Sequence, residues 1–266
     1  MKRMFERFVF DNIACNEYGV MCVSFDQSLP SKMSAHESEL NTEKSIMGDT
    51  YHIISQPYST PLTYTMQIAN RDFSPITQYQ ERTLKKWLCK RGCYKLFNIL
   101  DKRYADIWFF ANISNPKTIF IGNVYGMEFT VTMNAPYGFS DIKDIMYSLN
   151  SNESFTFYVD NDEELPIYPD MVIKPLESGN LVITNISDSV TEKLPLKINN
   201  IKTNEVITIK GSYPLVQSSD IVHNSNIYND INKEWLYLID GYNTIQTNLS
   251  CEINLQYREF RKVGVV

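Results

Sequence analysis

The sequence predicts a mainly β protein built in two blocks. Three observations carry this. Aromatic residues make up 13% of the chain, with 17 Tyr and 14 Phe, side chains suited to pleated, half-buried surfaces. Short runs that alternate apolar and polar residues recur along nearly the whole length. Only one stretch switches clearly to helical periodicity.

Residues 5–26, FERFVFDNIACNEYGVMCVSFD, alternate around breaks at Asp11-Asn12 and Tyr18-Gly19, the pattern of a hairpin or short meander. From Gln27 to Ser59 the composition turns polar, charged and turn-prone, with a strand near Tyr51–Ile54. A loop this long within a domain is commonly functional or reaches a partner. It reads either as an inserted disordered segment or as an arm whose Leu40, Ile46, Met47 and Ile53 pack on a neighbouring copy. Residues 62–68, LTYTMQI, alternate as a half-buried strand does. In SPITQYQERTLKKWLCKRG, Leu84, Trp87 and Leu88 fall at i, i+3 and i+4, Thr77 and Gln80 have capping-box spacing, and Gly92 stands where a helix would stop. That predicts a helix over 77–91. CYKLFNI, DIWFFANI, KTIFIGNV and MEFTVTMNAPYGF then read as four strands, separated at Asp101-Lys102, Asn115-Pro116 and Tyr125-Gly126. They complete a first domain over residues 1–140, a β domain with one helix.

DIKDIMYSLN, residues 141–150, reads as a short helix or a linker. Beyond it come SFTFYVDN, PDMVIKPL, NLVITNI, LPLKINNI, EVITIKG, WLYLIDG, NTIQTN and SCEINLQYREF, short alternating runs with turn chemistry at Gly179-Asn180, Asn199-Asn200, Gly211 and Gly241. Their spacing is that of a sandwich or jelly roll over 141–255, with no helix of useful length.

Composition narrows the function. With 25 basic residues against 31 acidic ones the net charge is -6, which argues against a phosphate-binding footprint. No run of about 18 apolar residues predicts a membrane span, and the opening MKRMFERFVFDN is too charged for a signal peptide. Five scattered cysteines point to reduced thiols and folding in a cytoplasm. There is no dinucleotide fingerprint, phosphate loop, zinc-protease motif or nucleophile elbow. His36, His52 and His223 read as surface polar residues, and Cys89 and Cys93 lack further ligands for zinc. The acidic run DNDEELPIYPD has the carboxylates for glycosidase chemistry or calcium, yet reads more simply as a solvated turn. Trp235, Tyr237 and Tyr242 read either as core on one face or as a sugar-stacking platform. No catalytic, metal or cofactor residue is assigned.

The order of these elements resembles a known family. FVFDNIACNEYGV, the block RDFSPITQYQERTLKKWLCKRGCYKLFNILDKRYADIWFFANI and MEFTVTMNAPYGF resemble the ring domain of the distal tail proteins of long, non-contractile bacteriophage tails. LPIYPDMVIK, VITNIS, EVITIKG, WLYLIDGYNTIQT and the ending INLQYREFRKVG resemble its C-terminal galectin-like sandwich. The resemblance implies a non-enzymatic component of the virion, assembled in the host cytoplasm. It implies a hexameric ring that joins the tail tube to the tip, lysin or receptor-binding proteins, around a channel that DNA crosses without specific binding. It also implies that residues 256–266 return to the first domain. The reading from a different class is a carbohydrate-binding sandwich for host-surface recognition.

Overall fold

A first sheet forms from strands that alternate buried and exposed side chains. The structure, a computed structural model, describes residues 7–23, 39–45, 48–58, 61–100, 104, 106–187 and 195–263. The first strands are β1 (Phe8–Phe10), β2 (Ile13–Ala14), β3 (Val20–Val23), β4 (Asn41–Lys44), β5 (Tyr51–Ser55) and β6 (Thr63–Asn70). After helix α1 (Gln78–Leu88) come β7 (Lys95–Ile99), β8 (Trp108–Ile121), β9 (Asn123–Met133) and β10 (Gly138–Phe139). The sheet runs β2-β1-β7-β8-β9-β6-β3, antiparallel at every step. Its inner residues, among them Phe8, Phe97, Phe109, Phe129 and Met66, form one core with Leu84, Trp87 and Leu88 of α1.

Helix α1 forms where its apolar spacing and cap predict. Thr77 stays extended and its hydroxyl accepts the Gln80 amide at 3.2 Å. The helix ends at Leu88, short of the predicted 91. Asn112 on β8 donates to the carbonyls of Lys90 and Cys93, both at 2.9 Å, and so fastens residues 90–93 as a turn, with Gly92 at φ +70°.

Two of the four predicted strands are one. DIWFFANI and KTIFIGNV both contribute to the 14-residue β8, which passes through Asn115-Pro116. A register shift between Ser114 and Lys117 absorbs the proline, with Asn115 at φ +51°. The reversal falls at Gly122, φ +73°, not at Tyr125-Gly126.

The second unit holds β11 (Lys143–Leu149), β12 (Ser154–Val159), β13 (Asp170–Pro175), β14 (Gly179–Asn185), β15 (Leu196–Ile201), β16 (Ile207–Lys210) and β17 (Leu215–Ser218). Helix α2 (Ile221–Asp230) follows, then β18 (Gly241–Thr247), β19 (Cys251–Tyr257) and β20 (Phe260–Arg261). Sheets β11-β19-β13-β16-β17 and β12-β18-β14-β15 make a galectin-like sandwich. Every second residue of β19, from Cys251 through Ile253 and Leu255 to Tyr257, is buried against Ile173, Ile183, Ile245 and their neighbours. Burial and the nearby Glu259 push the Tyr257 phenol up to about 12.

Three readings of this half change. Residues 143–149 are a strand and not a helix, paired along their length with β19. Asp220 starts a helix where none was expected; its carboxylate accepts the His223 amide at 2.8 Å. WLYL is not a strand: Leu236, Tyr237 and Leu238 are buried in succession, which period-2 alternation forbids, and only Leu238 bridges to Ile167.

By compactness the chain divides into residues up to Phe139 together with those from Lys262 onward, and Ser140–Arg261. Val263 lies in the core of the first unit.

Candidate functional site

Among the described residues β4 and β5 pair only with each other. The register sets Thr42 opposite Ile53, Glu43 opposite His52 and Lys44 opposite Tyr51, with a shift beside Asn41 that makes room for Ile54. Across the turn the Lys44 ammonium meets Asp49 at 2.6 Å, and Asn41 donates to Ser55 at 3.1 Å near the base. Every residue of both strands is exposed. Leu40, Tyr51, Ile53 and Ile54 stand 53–65% open to solvent. A two-stranded ribbon is marginal alone in water, and this one finds no apolar cover among the described residues. Of the arm residues, Ile53 is on β5 and Leu40 directly precedes β4; Ile46 and Met47 fall outside the described residues.

The structure separates Trp235, Tyr237 and Tyr242. Tyr237 is buried, its ring 6.2 Å from that of Tyr168. Tyr242 stands on the outer face of β18, edge-on to Tyr158 at 5.2 Å. Trp235 alone of the three reaches an open cleft of about 370 Å³, where the β16–β17 turn meets the segments around Tyr168 and Trp235.

Local chemistry fixes that cleft. Asp170 accepts the Gly211 amide at 2.9 Å and the Lys210 ammonium at 2.6 Å, and this hydrogen bond holds the Lys210 amine above its ordinary value. The turn lies so close to the strand before it that a Cβ on Gly211 would sit 2.0 Å from the Tyr168 carbonyl oxygen. The Trp235 indole donates to the Lys210 carbonyl at 3.2 Å, which sets the ring's orientation.

A buried polar group beside α2 was not legible in the sequence. The Glu205 carboxylate receives the Ser218 hydroxyl, the His223 Nδ1 and the Lys202 amide, the last at 2.8 Å. His223 Nε2 lies 3.6 Å from Asp230, beyond hydrogen-bonding distance. Serine, histidine and carboxylate meet, but the hydroxyl donates to Glu205 and not to the imidazole. The arrangement clamps α2 onto β16 and β17 and does not build the Ser–His contact of a hydrolase. Three carboxylates of the acidic run likewise meet cations of their own unit: Arg261 lies 3.3 Å from Asp160 and 3.8 Å from Asp162, and Asp170 holds Lys210. Among the described residues no three His, Cys, Asp or Glu side chains gather as metal ligands.

These features define a class, a two-unit, mainly β protein that carries exposed apolar side chains on a two-stranded ribbon. A family profile described as the phage tail protein N-terminal domain matches residues 4–135, and one described as the phage tail C-terminal domain matches residues 137–257. The chain belongs to this family of phage tail proteins. It is 23% identical over 262 residues to the SPbeta prophage-derived uncharacterized protein YomH of Bacillus subtilis (strain 168), covering 97% of this chain and 98% of that one. Its fold is similar to that of the Dit protein (gp 19.1) of phage SPP1, a paradigm of the hub adsorption apparatus in phages infecting Gram-positive bacteria. The TM-score is 0.65 at 10% identity, over 95% of this chain and 98% of the other.

Proposed function

We propose that this chain is a distal tail protein that closes into a hexameric ring and joins the tail tube to the tip proteins. Its role is structural and not catalytic. The observation that carries the reading is the β4–β5 ribbon, whose Leu40, Tyr51, Ile53 and Ile54 are left open to water. An adjacent copy would supply the cover that the described residues of its own unit do not. Each such side chain gains about 1.5–3 kcal/mol on full burial, so a few of them offset much of the cost of ordering and docking a ribbon. The likeness in fold to a protein of a hub adsorption apparatus supports the same reading. The first units would surround the channel, and the net charge of -6 suits a passage that DNA crosses without sticking, since acidic walls repel phosphates. Assembly would take place in the host cytoplasm and the finished ring would sit at the tail tip.

The test is native mass spectrometry of the full chain, alone and co-expressed with its tail tube protein, beside the variants Ile53→Glu and Tyr51→Glu. Closed six-copy rings that the variants abolish are expected. Monomers under both conditions, or rings indifferent to both charges, would overturn the proposal.

A further inference from the structure

We infer that the cleft at the β16–β17 turn is a saccharide-binding site, formed by Trp235, Tyr213 and Tyr168 with Ser212, Lys233 and Glu234 at its rim. The inference stands without the ring: it concerns the second unit alone, and a monomer would bind as well.

The lining selects the ligand's chemistry. Three aromatic side chains converge on one open depression, two of them substantially exposed, Tyr168 at 42% and Tyr213 at 55%. A pyranose ring presents an apolar face of C–H bonds that carry slight positive charge, and the electron-rich face of an aromatic ring is its natural counterpart. At the rim, a hydroxyl, an ammonium and a carboxylate offer both donors and acceptors, as a polyol requires. Competing ligands fit less well. An anion would want net positive charge, but Lys233 is balanced by Glu234 next to it. A purely apolar ligand would want an enclosed floor, whereas this cleft is open to solvent. Its volume of about 370 Å³ lies near the small end of the ~300–1,000 Å³ typical of ligand sites, which suits a short stretch of an oligosaccharide.

The site is also held in advance of any ligand. Trp235 is partly buried against the sandwich core and its indole nitrogen is tied to the Lys210 carbonyl. Asp170 pins the turn from below through Lys210 and Gly211. A ring fixed in this way loses little freedom on binding, the general advantage of preorganised sites.

Saturation-transfer NMR and calorimetry on the full chain, with maltotriose, cellotriose and chitotriose as probes, test the inference. At least one should bind saturably in the millimolar range. Tyr213→Ala, at an exposed position that tolerates truncation, should weaken it several-fold, and Trp235→Phe at least threefold. Tyr242→Ala, outside the cleft, should leave it unchanged; circular dichroism checks that each variant is folded. Absence of saturable binding for all three probes at tens of millimolar overturns the inference. So does binding that Tyr213→Ala leaves intact, or that Tyr242→Ala removes equally.

Discussion

Truncating Trp87 to alanine should destabilise the first unit by about 3–5 kcal/mol, the range for a buried tryptophan. The side chain is 3% exposed. Its ring stacks on Tyr18 at 4.4 Å and on Phe8 at 5.6 Å, and meets Phe10 edge-on at 6.4 Å. Its nitrogen donates to the Phe10 carbonyl at 3.2 Å, joining α1 to the first strand across 77 residues of sequence. Loss of that donor alone costs roughly 1 kcal/mol, so Trp87→Phe, which keeps an aromatic ring, should cost about 1–2 kcal/mol. Trp108 is on β8 in the first unit and Trp235 is in the second. In a Trp235→Phe background, fluorescence during denaturant unfolding therefore follows the first unit. A shift below about 1 kcal/mol for the alanine variant would refute the claim that this aromatic cluster holds the helix to the sheet.

Three further outcomes are expected. Gly211→Ala places a methyl group against the Tyr168 backbone; it should cost about 1–3 kcal/mol, read as a lower melting temperature of the second unit. The Lys202 ammonium, and after it the His223 amide, hold the Asp220 carboxyl below its ordinary value of 3.8. Its stabilisation is complete above that value and is lost as pH falls through the lowered one. Asp220→Asn should therefore flatten the acid limb of a stability-against-pH curve, and an unchanged limb would count against the cap. Burial raises the thiols of Cys15, Cys22 and Cys251, so maleimide labelling of the native protein followed by peptide mass analysis should find Cys93 modified well before those three.

Where one physical rule governed, the fold was legible. The α1 face Leu84, Trp87, Leu88 is buried as its 3.6-residue spacing requires, and the alternation of LTYTMQI became β6. Errors arose where two rules competed. Asn115-Pro116 is a strong break signal, but a bulge inside a long antiparallel pair accommodates it. DIVHNSNIYND is rich in residues that favour turns over helix, and only the Asp220 cap hints at α2. That helix is held from outside, by Glu205 on His223 and by Tyr228, whose hydroxyl accepts the Val216 amide at 3.2 Å. Trp235 stands out in the sequence as an aromatic, but Tyr168 and Tyr213 lie far from it along the chain, and no local pattern announces a cleft assembled from three segments.

The burial of Val263 in the first unit's core gives the second unit two attachments, a covalent one at residues 139–140 and, beyond 261–262, one held by packing. A load pulling on the sandwich is then shared between both ends of an inserted segment, not borne by a single strand of backbone. Cutting at 261–262 leaves the sandwich joined through 139–140, whereas cutting at 139–140 leaves it attached only through residues packed non-covalently in the first unit. The same connectivity makes the sandwich a cassette, replaceable between fixed splice points while the first unit keeps its own final residues in place.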